Sequence, residues 1–152
     1  MERIDFYHLQ KSSLEEALPR LVLKAYETGK KVKIKVGNDL RVDFLNSALW
    51  TFDDESFLPH GTKKDGFADL QPVFLSADDE IPNSASFLFL VDGATIDFEQ
   101  TEAFERIFYV FDGQDEAELQ KARLAWKAVT KSNIERHYWQ QNVLGKWEEK
   151  VV

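Results

Sequence analysis

Arg3-Ile-Asp-Phe-Tyr-His-Leu9, then residues 14–28, then Lys31-Val-Lys-Ile-Lys-Val36, then residues 40–50: these four stretches decide the fold. The first mixes apolar and β-favouring residues and reads as an opening strand. In the second, Leu14, Ala17, Leu18, Leu21, Val22 and Ala25 recur at helical spacing. Ser12 or Ser13 can cap its start, and Glu15 and Glu16 occupy the first turn, where a helix favours anions. Pro19 is expected to kink this helix or mark a short first turn, and Gly29 to end it. The third stretch alternates strictly, with one apolar face and one lysine face; the lysines read as a solvated strand face or as edge protection. After the turn and cap Gly37-Asn38-Asp39, the residues Val42, Phe44, Leu45, Ala48, Leu49 and Phe52 predict a second helix ending near Trp50. Strand, helix, strand, helix is the pattern of parallel-strand units joined by crossovers.

The same reading extends along the chain. Residues 71–76, 86–91 and 106–111 predict further strands, and the almost wholly apolar 86–91 suits a central strand covered on both faces. Residues 53–61 read as a loop around a short extended piece, 62–68 as mobile charged surface, and 99–104 as a short helix. A long helix covers 119–131, a last short helix is expected around 134–141, and Tyr138, Trp139 and Trp147 are expected to fold back on the body. The expected architecture is α/β: a single three-layer α/β/α domain over residues 1–152, with a mostly parallel, Rossmann-like sheet that lacks a nucleotide-binding loop.

Composition narrows the function. A chain of 152 residues can bury one real core. Its net charge of −8 argues against a general DNA or RNA backbone binder. It has no cysteine, so disulfides, thiolate zinc sites and cysteine nucleophiles are excluded. No apolar run is long enough to span a membrane and the N-terminus has no signal-like apolar segment, so a cytoplasmic location is expected. The first strand-to-helix turn, Gln10-Lys-Ser-Ser13, has no glycine, and no G-x-G-x-x-G occurs. His8, His60 and His137 lack zinc-ligand spacing, and His60 reads as a loop histidine bonded to backbone. No serine sits in a G-x-S-x-G turn. Asp53-Asp54-Glu55 and Asp78-Asp79-Glu80 read as solvated acids. No catalytic residue, metal ligand or cofactor is therefore assigned.

Two features stand out. No acid occurs from residue 119 to 134, although the protein is acidic. On a helical wheel Ala117, Ala122, Leu124, Ala125, Ala128 and Val129 share one face, expected to lie on the sheet. Arg123, Trp126, Lys127, Thr130 and Lys131 fall opposite: a ring among cations, suited either to an ordinary solvated surface or to docking an acidic peptide that ends in an aromatic or a free carboxylate. The second feature is Leu49-Trp50 with Ser56-Phe-Leu-Pro-His60, where Trp50 and Phe57 are either core or an aromatic docking patch.

At these residues the sequence resembles the chi subunit of bacterial DNA polymerase III. The resemblance rests on Phe6-Tyr7 and Leu9, the passage through Lys24-Ala25 and Gly29-Lys30 to Val32, Leu49-Trp50, Ser56-Phe-Leu-Pro-His60, Gln71-Pro-Val73, Val110-Phe-Asp112, Ala122-Arg123 with Trp126-Lys127, and Tyr138-Trp139. The resemblance implies a non-catalytic adaptor of the clamp-loader assembly. It implies binding of the acidic C-terminal tail of the single-stranded-DNA-binding protein at Arg123, Trp126 and Lys127. A second partner, the psi subunit, would be met by Trp50 and Phe57, with Pro59 beside them, and would link the protein to the clamp loader. Direct nucleic-acid binding would be weak or absent. The alternatives are a nucleotide-binding enzyme on a Rossmann-like fold and a direct single-strand binder using Trp126 and the lysines.

Overall fold

The computed structural model describes residues 2–53, 58–97, 101 and 103–151. Strand β1 (Arg3–Leu9) leads to helix α1 (Leu14–Glu27), β2 (Val32–Val36), α2 (Asp39–Thr51), β3 (Gly61–Thr62), β4 (Val73–Ser76), β5 (Phe87–Val91), β6 (Arg106–Asp112), α3 (Glu116–Thr130), β7 (Glu135–Gln141) and β8 (Trp147–Lys150). The eight strands form one sheet in the order β3-β4-β2-β5-β6-β1-β7-β8. All neighbours are parallel except β7 and β8. The expected α/β class, with a mostly parallel sheet, is what the chain adopts.

Local sequence explains the helices. Ser13 accepts from the Glu16 backbone amide while the Glu16 carboxylate accepts from the amide of Ser13, a reciprocal cap at the start of α1. The helix runs through Pro19, which is buried on its core side. Asn38 caps α2 by accepting from the Arg41 amide at 3.0 Å. Asp115 does the same for α3, accepting from Ala117 and Glu118.

Side chains alternate across the sheet and build two cores. One holds Tyr7, Leu9, Ile34, Phe89 and Val110 under Leu18, Val22 and Ala25 of α1 and Leu45 and Leu49 of α2. The other holds Ile4, Phe6, Leu88, Leu90, Ile107, Tyr109 and Phe111 under Ala122 and Val129 of α3. Among the described residues two α-helices therefore cover one face and a single long helix the other. Burial of this apolar surface is the main stabilising term.

Two expectations are corrected. Residues 134–141 do not continue as helix: they form β7, paired along β1 from Arg3↔Glu135 to His8↔Gln140. Their side chains alternate, Arg136 and Tyr138 to the α3 side, His137 and Trp139 to the other, a strand pattern masked by polar residues on both faces. Residues 63–67 are exposed, as the charged-surface reading expects, and the segment carries regular turns. The short strand β3 is followed by single turns of 3-10 helix at Lys63–Asp65 and Ala68–Leu70, the first capped by Thr62 and Asp65. Of the lysines of the third stretch Lys31 is exposed, but Lys33 and Lys35 are neither fully solvated nor at an edge, because β2 lies inside the sheet. Lys33 is 1% exposed. Its amine donates to Ser76 Oγ and to the Glu80 carbonyl and lies 3.6 Å from the Asp78 carboxylate. Lys35 reaches Asp79 and the Thr95 carbonyl, both at 2.6 Å. Among the described residues no helix covers this part of the sheet, and the acidic turn at 78–80 folds over it. Half of the short helix expected at 99–104 (residues 99, 100 and 102) falls outside the described residues.

Candidate functional site

A doubly wound sheet binds nucleotides where neighbouring strands send their connections to opposite faces. Here that point lies between the carboxyl ends of β1 and β6, which lead to α1 and α3. It is already filled. The backbone amides of Gln10, Lys11 and Ser12, where a phosphate would be cradled, all donate to one acceptor, Gln141 Oε1, at 3.0–3.1 Å. A cleft of about 140 Å³ beside it is lined by Glu15, Asp92, Asp112 and Glu118, with Arg41 between Glu15 and Asp92. Burial pushes the Glu118 carboxyl up to about 7, and Asp115, Asp92 and Asp112 add to the rise. Such surroundings repel a phosphate.

His60 and His8 are held by internal contacts. His60 is buried, its two ring nitrogens 2.7 Å from the Leu58 carbonyl and 3.1 Å from the Asn46 carbonyl. His8 Nδ1 lies 2.6 Å from the Tyr138 hydroxyl. Its other side closes on Gly113, where an added Cβ would come within 1.8 Å of Nε2. Among the described residues no cluster of histidine and carboxylate side chains could hold a metal ion.

The late helix differs from its wheel. Ala122 and Val129 are buried, Ala125 and Trp126 are half-buried, and Leu124 is 66% exposed. The buried stripe is thus centred about a quarter-turn from the face that the small residues suggested. Trp126 forms its edge rather than lying opposite it. The reason is volume: Phe6 and Tyr138 leave room for a large ring at that edge. The indole packs edge-on against Phe6 at 5.1 Å and against Tyr138 at 5.7 Å.

Around the indole the charges are positive. Arg123, Lys127 and Thr130 are exposed on the adjoining part of the helix. Among the described residues no carboxylate lies within 4.0 Å of Arg123, Lys127 or Lys131. Burial raises the Tyr138 phenol, while the nearby Arg123 charge pulls it back down. Thr130 Oγ1 donates to the Lys127 carbonyl at 2.6 Å. Lys131 stands apart from the other four. It lines a cleft of about 640 Å³ on the other flank of α3 with Lys121, Leu124 and Ala128. Sequence reasoning missed Arg136, whose guanidinium carbon lies 4.9 Å from the Trp126 ring. The period-two pattern of 135–141 was the only signal for it.

On the opposite face of the molecule Trp50 is 53% exposed on α2, its ring 4.3 Å from that of His60. Pro59 is half-buried. Leu40 and Phe44 of the same helix are also exposed. Phe57 lies outside the described residues.

Fold and site together define a Rossmann-like α/β domain whose first strand-to-helix turn is closed by its own glutamine and whose third helix carries exposed cations. Sequence comparison places that domain. The profile of the DNA polymerase III chi subunit, HolC, matches residues 1–137, and the chain belongs to that family. It is similar to a Rickettsia prowazekii (strain Madrid E) protein described as a probable DNA polymerase III subunit chi, 26% identical over 154 residues covering 98% of this chain and 92% of the relative. Membership makes it an accessory subunit of a DNA polymerase III complex, with a role in DNA replication. No helix among the described residues is long and apolar enough to cross a membrane.

Proposed function

We propose that the protein is a non-catalytic adaptor that binds the acidic C-terminal tail of the single-stranded-DNA-binding protein and joins it to the clamp loader. Arg123, Trp126, Lys127 and Thr130 form the tail site, with Lys131 on the far flank of the same helix adding long-range attraction; Trp50, Phe57 and Pro59 face the psi subunit. The single observation that carries the tail reading is the half-buried indole flanked by cations with no internal carboxylate, in a protein of net charge −8. Asp5, Asp78 and Asp92 are paired with cations of the protein itself; among the described residues the cations at 123 and 127 have no carboxylate within 4.0 Å, which suits an acid from outside.

Burying one aromatic side chain of the tail is worth roughly 1.5–3 kcal/mol, and each exposed ion pair about 0–1 kcal/mol. After the cost of association this gives micromolar binding that weakens with salt. Such an affinity suits a contact made and broken repeatedly during replication.

The test is titration of the full chain with a synthetic tail peptide. Arg123→Ala and Trp126→Ala are expected to abolish saturable binding. Because Trp126 also touches Phe6, Trp126→Phe serves as the control that keeps the packing. Unchanged affinity in both alanine variants removes the assignment. Tight binding of bare oligonucleotide at physiological salt, without the tail protein, would favour a direct single-strand binder instead.

A further inference from the structure

Trp126 does not meet solvent bare. Arg136, one residue into β7, spreads its guanidinium over the ring at 4.9 Å. β7 runs beside β1 with Ile4 opposite Arg136 and Phe6 opposite Tyr138. Arg136, Tyr138 and Phe6 therefore project from the same face of the sheet, the face α3 covers. Arg123 stands near the Tyr138 ring from the helix side, and Arg136 stands over the indole from the strand side. Among the described residues neither guanidinium has a carboxylate within 4.0 Å.

We propose that Arg136 is a second binding arginine of this site and takes a carboxylate of the bound peptide alongside Arg123. The inference rests on the reading of α3 as the receptor for an acidic tail. A guanidinium stacked on a ring uses its face. Its five N–H groups lie in its plane and stay available at the edge for a two-pronged bond to a carboxylate. The indole thus does two jobs. It offers apolar area to the peptide, and it holds the arginine in place before the peptide arrives, which lowers the ordering cost of binding. Two unpaired arginines around one pair of aromatic rings also repel one another, and an anion between them relieves that repulsion. A lysine at 136 could supply the charge but neither the flat stacking nor the fork.

The experiment is fluorescence anisotropy on the full chain with a short labelled peptide, rich in aspartate and ending in phenylalanine with a free carboxylate. Two companions are used: the same peptide amidated at its C-terminus, and one with its aspartates replaced by asparagine. Arg136→Ala is expected to weaken binding of the first peptide about tenfold, and Arg136→Lys nearly as much. Circular dichroism checks that both variants fold. If Arg136 takes the terminal carboxylate, its removal costs nothing further with the amidated peptide. If it takes an aspartate, its removal costs nothing further with the asparagine peptide. Either result supports the inference. Wild-type affinity in Arg136→Ala, or the same loss with all three peptides, overturns it. A wild-type chain that binds no peptide, or binds regardless of Arg123→Ala and Trp126→Ala, brings down the underlying tail reading. Normal tail binding with an inert Arg136 brings down this inference alone.

Discussion

Replacing Lys33 by methionine is expected to leave the protein at least as stable at neutral pH, although the residue is fully buried and makes hydrogen bonds. Burial pushes its amine down from an ordinary value of 10.5 to about 8, against the pull of Asp78. At about 1.4 kcal/mol per pH unit, a protonated Lys33 opposes folding at pH 7 by up to about 3 kcal/mol. Methionine fills a similar volume and carries no charge. Its introduction removes the donors to Ser76 Oγ and the Glu80 carbonyl, about 1 kcal/mol each. Asp78 is not stranded, because Lys63 also pairs with it. The balance is a gain of about 1 kcal/mol for Lys33→Met at pH 7, in line with the general weakness of buried ion pairs against apolar replacements. The sign with pH follows from the depressed value. The unfolded chain holds the Lys33 proton more tightly, so between about 8 and 10.5 the wild type gains on the variant as pH rises. Urea unfolding of both proteins at pH 7 and pH 10, with equal m-values required, reads the difference directly. A variant more than about 2 kcal/mol less stable at pH 7, or a difference that does not move between the two pH values, refutes the reasoning.

Asp5 is the opposite case. It is fully buried and accepts from Arg3 at 2.8 and 3.0 Å, from Arg106 at 2.7 Å and from the Trp139 indole at 2.9 Å. Burial pushes its carboxyl up, but these donors together hold it below the ordinary 3.8. Its contribution is therefore present above that ordinary value and lost as pH falls through the lower folded one; Asp5→Ala should cost about 3–5 kcal/mol in urea unfolding at pH 7 and flatten the acid limb of the stability curve. For Glu118, raised by burial to about 7, the folded state holds the proton more tightly. Stability should fall as pH rises from 4.5 to about 7. Glu118→Gln should remove that slope and melt higher than wild type at pH 8, by about 1–2 kcal/mol.

Much of the fold could be read from residue order. The capped, periodic helix from Leu14 and the apolar runs at 87–91 and 106–112 leave little choice of element, because period and length agree. What escaped depended on the other elements. Lys33 reads as a surface residue in any isolated strand; it is buried because β2 lies inside the sheet and the turn at 78–80 folds over it. The strand at 135–141 is polar on both sides, so its period of two carried little apolar contrast. Trp126 looked like the outer face because small residues marked the other; the decisive contact, with Phe6 and Tyr138, joins three distant parts of the chain. The cations at 123 and 127 and the ring at 126 were legible as a group, and Arg136 was not, since its place depends on β7.

The sheet order has a consequence for synthesis. β1 is translated first, yet its two neighbours are β6 and β7, completed only at residues 112 and 141. Until then its apolar side chains, Ile4 and Phe6 among them, have no native strand beside them. A ribosome-bound nascent chain must hold that segment back, and a fragment ending before residue 106 carries a first strand with neither neighbour. Such long-range pairing slows folding and lengthens exposure to aggregation. Shortened versions of this protein that keep the first half and discard the second are expected to accumulate as insoluble chain, whatever the second half was thought to bind.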